Sequence, residues 1–162
     1  MSIFDARTAV FPNNASQIIQ TRISDLYGDD LDIYGRRLRL TDNTRSVGVA
    51  PDLWVPDETS FEFASKEPTV STYTIWIQCF VKNSDEEQGV KEHSVLSKVL
   101  RTMLYRDEPL RVGLNSLSVG MMGATERIQR RGIRRAQYLS SELQGNWLFL
   151  NTLEYYIETE TK

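Results

Sequence analysis

The chain has 162 residues, 40% hydrophobic and 10% aromatic, enough apolar side chains for one domain with its own core. Its formal net charge of −3 has the wrong sign for a general binder of nucleic acid or anionic membranes. One cysteine and one histidine exclude an intramolecular disulfide and a Cys/His zinc site.

Residues 1–12 read as a flexible arm on a single domain, 1–162. Residues 1–10 lack the apolar stretch of a signal peptide, and no apolar run approaches the ~20 residues of a membrane span. The expected setting is therefore a reducing cytoplasm.

Pro12-Asn13-Asn14 is a helix start signal, followed by Ala15, Ile19, Ile23 and Leu26 at helical spacing. A helix with one buried face is predicted over 14–27, with Gly28 after its end. Across 29–56, Leu31, Ile33, Leu38, Leu40, Val47 and Val49 alternate with polar residues and predict short strands. Residues 50–68, with Pro51, Pro56 and Pro68, read as a long loop or hairpin excursion with a short strand at 60–63. Trp54, Phe61 and Phe63 would pin it to the body or to a neighbour.

Residues 71–82 predict the clearest strand. Tyr73, Ile75, Ile77, Cys79 and Val81 share one face, and Thr74, Trp76, Gln78 and Phe80 share the other. Both faces are largely apolar, so the strand is expected to be central. A helix is predicted over 84–105, opened by a capping box of Ser84 and Glu87. Its packing stripe is read as Val95, Val99 and Met103 beside Leu96, Leu100 and Leu104, with Lys98 and Arg101 outside.

Alternation of Leu110, Val112, Leu114, Leu117 and Val119 predicts one or two short strands. Residues 124–141, crowded with arginine and interrupted by Gly132, fit a strand as well as a helix. A turn is predicted over 140–146 around Gly145, and then a long strand over 147–160. On that strand Trp147, Phe149, Leu153, Tyr155 and Ile157 face the core, and Thr152, Glu154, Tyr156, Glu158 and Glu160 face out. The expected fold class is α/β (α+β), a mixed and largely antiparallel sheet packed by one long and one shorter helix.

No pattern of catalytic residues emerges, and the expectation is a protein that is not an enzyme and carries no cofactor or metal. His93, in the first half of a charged helix, reads as a solvated surface residue, and Cys79 as a buried free thiol. Asp30-Leu31-Asp32 with Gly35 echoes a calcium loop, but its twelfth position is Thr41 rather than glutamate. Gly120-Met121-Met122-Gly123 has the form of an RNA-clamping loop without the basic helical context, and reads as a turn.

The arginine run is the more serious signal. Arg127, Arg130, Arg131, Arg134 and Arg135 fit a solvated face, a rim for an acidic protein partner or a phosphate contact. Glu154, Glu158 and Glu160 on the last strand are read as partners for these arginines on an adjacent copy.

The order of elements resembles the tail terminator family of long-tailed phages. The residues that carry the resemblance are the helix 15–27, the strand 73–81, the acidic turn Asp85-Glu86-Glu87-Gln88-Gly89, the helix 93–104, Glu126-Arg127 and the strand 149–160. The excursion 50–68 has no counterpart in that pattern. The resemblance implies a virion protein at the neck, assembled in the host cytoplasm as a ring of six copies. One face of the ring would cap the tail tube protein and the other would meet the head connector or stopper protein. DNA would pass through the lumen without specific binding. Another neck or minor tail protein, and a small enzyme or nucleic-acid adaptor, are the alternatives.

Overall fold

In a computed structural model, residues 11–52, 57–59, 69–121 and 123–162 are described. The element order is α1 (Phe11–Tyr27), β1 (Asp32–Tyr34), β2 (Arg45–Pro51), β3 (Asp57–Thr59), β4 (Thr69–Asn83), α2 (Glu86–Arg106), α3 (Glu108–Asn115), β5 (Ser118–Met121), β6 (Ala124–Leu143) and β7 (Asn146–Thr161). The predicted strand over 60–63, with Trp54, Phe61 and Phe63, lies outside the described residues.

The class is the expected one, a mixed α/β fold. One sheet runs in the order β1-β2-β4-β7-β6-β5, with β3 also pairing β4. All described pairings are antiparallel except β1 with β2. β4 and β7 are matched from Thr69↔Thr161 to Asn83↔Trp147, and they form the centre of the sheet.

The helices cover one face. Phe11, Ala15, Ile19 and Ile23 of α1, Leu96, Leu100, Met103 and Leu104 of α2, and Leu110 and Leu114 of α3 are buried there. They pack with Val47, Val49, Ile75, Ile77, Val81, Leu153, Tyr155 and Ile157 of the sheet. Period-2 strands and period-3.6 helices thus bring their apolar sides into a single core.

Several expectations need correction. Residues 108–115 form a helix, not strands. Asp107 caps it by accepting from Leu110 N at 3.0 Å, and Pro109 occupies its first turn. The cap of α2 is Asp85, whose Oδ1 accepts from Gln88 N at 2.9 Å, so the expected Ser84–Glu87 box is displaced by one residue. Val95 is 64% exposed, because the stripe facing the sheet runs through Gly89, His93, Leu96, Ser97, Leu100, Met103 and Leu104.

Helix α1 starts at Phe11, whose buried ring stacks with Tyr73. Leu38 and Leu40 belong not to strands but to the crossover that links β1 to its parallel neighbour β2. That crossover lies on the sheet face away from the helices, where Leu38 N donates to Gln78 Oε1 and the Arg37 guanidinium stands 4.4 Å from the Trp76 ring. β6 continues to Leu143, and the turn is confined to Gln144 and Gly145. Both have positive φ (52° and 80°), the geometry of a tight primed hairpin turn.

Candidate interface on the β6–β7 hairpin

The arginine-rich segment is a strand, and two irregularities in its pairing explain its sequence. The register with β7 shifts between Ile128 and Arg130 and again between Ile133 and Arg135. A bulge places an extra residue on one strand and resets the alternation of faces. Gln129 and Arg134 are those extra residues. After each shift the next arginine returns to the face opposite the helices.

The five arginines therefore divide. Arg127, Arg130 and Arg135 stand opposite Glu160, Glu158 and Glu154 on the outer face. Arg134 also lies outward, its guanidinium 5.6 Å from the Tyr156 ring. Arg131 turns inward. Its Nη1 donates to Tyr155 Oη at 2.7 Å and to Leu104 O, in the last turn of α2, at 3.3 Å. Tyr155 is fully buried, and burial raises its phenol pKa while the nearby Arg131 cation opposes the rise. Arg131 thus ties the C-terminal end of α2 to the sheet, where a cation also complements the helix dipole.

The glutamates expected to meet these arginines on another copy stand beside them in the same chain. Cross-strand pairs of opposite charge stabilise a hairpin modestly. Among the described residues none of these pairs closes to an ion pair. Glu160 instead accepts from Gln129 Nε2 at 2.7 Å and lies 3.5 Å from Lys162 Nζ. Arg127 Nε donates to Ser118 Oγ of β5 at 3.4 Å. Arg130, Arg134 and Arg135 are exposed and form no ion pair among the described residues.

The outer edge of β6 is the second feature of the hairpin. β5 pairs only with residues 124–127, so from Ile128 to Leu143 that edge has no strand partner among the described residues. α2 reaches this part of β6 twice: Ile133 N donates to the Tyr105 hydroxyl at 3.3 Å, and Arg101 Nη1 donates to the Tyr138 hydroxyl at 3.3 Å. Beyond the second bulge the edge is regular and carries exposed Tyr138, Leu139 (65%) and Leu143. An unpaired edge of this length is a template for another strand.

The groups with nucleophilic or basic potential gather elsewhere, under α2. His93 is buried and not solvated, because it falls three residues before Leu96 on the sheet-facing stripe. Its ring stacks on Phe149 at 5.8 Å and meets Tyr138 edge-on. Burial lowers its pKa, and its Nε2 has no partner among the described residues. Cys79 Sγ lies 3.6 Å from Ser97 Oγ, which accepts from Asn151 Nδ2. Burial pushes the thiol up to about 11, so Cys79 is a packed thiol rather than a nucleophile. Among the described residues no group of three or more His, Cys, Asp or Glu side chains is placed to hold a metal. No described helix is long and apolar enough to cross a membrane.

No protein-family model matches the chain, and no curated protein matches it. Among solved structures, it is similar to a chain from the virion of a native gene transfer agent (GTA) particle. The identity is 10% and the TM-score 0.46, over 92% of this chain and 93% of that one. A similarity this distant carries no argument about function.

Proposed function

We propose that this chain is a virion structural protein of the tail terminator kind, which works by fitting surfaces together rather than by catalysis. The observation that carries the reading is the β6–β7 hairpin. It has a 20-residue strand with an open outer edge, a bare arginine rank and an exposed apolar tip. Such a surface is expensive to leave in water and suits a neighbouring subunit. The order of elements, which resembles the terminator family, points the same way.

In this reading a ring of six copies caps the tail tube and presents its other face to the head connector or stopper protein. DNA passes through the lumen without sequence-specific contact. A heterologous interface between copies closes into a ring when its rotation allows. Charged residues then set register and partner choice more than affinity.

The test is the location of the chain in particles. Antibody against it should label the junction of head and tail, and particles assembled without it should have unjoined heads and tails of irregular length. Label confined to the capsid shell or the tail tip, or normal joined particles without the chain, would overturn the reading.

A further inference from the structure

The sheet has two lateral ends, β1 on one side and β6 on the other, and their chemistry is opposite. On the β1 side Asp29, Asp30 and Asp32 are exposed and form no ion pair among the described residues; Asp32 accepts from Asn43 Nδ2, Asp30 lies near enough to Arg45 to help raise its pKa, and Arg39 is the one exposed arginine there without an ion pair, so the unpaired carboxylates outnumber it. On the β6 side stand the equally unpaired Arg130, Arg134 and Arg135. The carboxylates of β7 lie one strand further in, so a strand approaching from the side meets the arginines first. Exposed apolar residues accompany both ends. Tyr138, Leu139 and Leu143 lie on β6 with Tyr105 of α2 against its edge, and Leu26 lies on α1 shortly before β1.

The strand directions also fit. β1 runs parallel to β2, and β2-β4-β7-β6 alternate, so β6 and β1 are antiparallel. A second copy set alongside in the same orientation offers its β1 antiparallel to β6. Asp32, Ser46, Phe80, Leu150 and Leu139 form one row across the sheet, so Asp32 of the next copy arrives near the level of Leu139. Arg135 lies in the row of Trp76, about four residues or roughly 13 Å lower. Sheets that close around an axis are staggered in this way, and a stagger of that size sets Asp32 opposite Arg135 and next to Arg134, with Asp30, just before β1, on the Gln137 side and diagonal to Arg135.

We propose that the open edge of β6 is occupied by the β1 edge of a second copy of this chain. The sheet thus continues head-to-tail, with Asp32 facing Arg134 and Arg135 and Asp30 reaching Arg135 diagonally. The assignment rests on the assembly reading above and names the surfaces that meet. The contact is heterologous, so each copy uses one end to bind and offers the other.

A charge-swap experiment on the full chain tests it by sedimentation velocity from micromolar to near-millimolar concentration, at moderate salt because exposed pairs are screened. The wild type should associate. Arg134→Glu/Arg135→Glu and Asp30→Arg/Asp32→Arg should each remain monomeric with unchanged circular dichroism. An equimolar mixture of the two should associate again, since unlike edges now meet at every contact. If a charge variant fails to fold, Leu139→Ser at the exposed tip should still weaken association. A wild type that stays monomeric, either charge variant associating alone like the wild type, a folded Leu139→Ser that associates unchanged, or a mixture of folded variants that fails to associate would overturn the assignment. The functional reading is tested separately, by labelling particles.

Discussion

Arg131 and Arg130 are neighbours in sequence with opposite surroundings, and replacing each by alanine should separate their roles. Arg131→Ala removes the donor to two acceptors, the Tyr155 hydroxyl and the Leu104 carbonyl. Tyr155 is fully buried, so its hydroxyl loses its charged partner where water cannot readily replace it. A hydrogen bond to a charged group contributes about 1.5–3 kcal/mol, and an orphaned buried polar atom costs about 1–3 kcal/mol. The two figures overlap, because the bond and the orphan are one event. Allowing for the longer second bond, the expected loss is about 2–4 kcal/mol. Arg130→Ala touches no such pair and should stay within about 0.5 kcal/mol. At a urea slope of about 2 kcal/mol/M, Arg131→Ala should lower the midpoint by about 1–2 M and Arg130→Ala by at most about 0.25 M. The phenol of Tyr155 should also titrate higher in Arg131→Ala, because the opposing cation is gone. Equal midpoints for the two variants would refute the division of the arginines into outward and inward groups.

His93 should make the fold acid-sensitive. Its folded pKa lies below 6.5, so above that value the group costs nothing, and stability falls as pH drops through 6.5 toward the folded value. Urea midpoints between pH 5 and 8 should show this slope, and His93→Gln should reduce it. Gly89→Ala would set a Cβ 2.6 Å from the Phe149 ring, beneath α2. Despite the gain in helix propensity, it should destabilise by about 1–3 kcal/mol, measurable by thermal melting. Asp107→Ala removes the cap of α3 and the partner of Arg22, whose Nε lies 2.6 Å from Oδ2. Loss of the cap should cost about 1–2 kcal/mol in urea titration, whereas Asp107→Asn, which can still cap, should lose less.

The central elements were legible because burial and local period agree in them. β4 is apolar on both faces because the helices cover one and the crossover between β1 and β2 covers part of the other, at Trp76 and Gln78. β7 alternates, as a strand under helices on one side must. α3 resembles a strand in sequence because Leu110, Val112 and Leu114 satisfy both a two-residue and a four-residue spacing. The deciding signal was the start, Asp107-Glu108-Pro109, which caps a helix and does not open a strand. β6 was ambiguous for a different reason: its bulges at Gln129 and Arg134 destroy the alternation that identifies a strand. The same bulges hid which arginines point outward. The cross-strand placement of Glu154 and Glu158 depends on register, which distant residues fix. His93 could have been placed from Leu96 and Leu100 by counting back along the helix, since a histidine three residues before one buried leucine and seven before another lies on their face.

Assembly into a closed ring is tested most directly by the mass of the full chain in light scattering, with images of its largest species. The expected result is a closed species near six times 18.7 kDa that also binds the ends of tail tubes and stops their growth. A chain that remains monomeric at every concentration, and leaves tube growth unchanged, would contradict it.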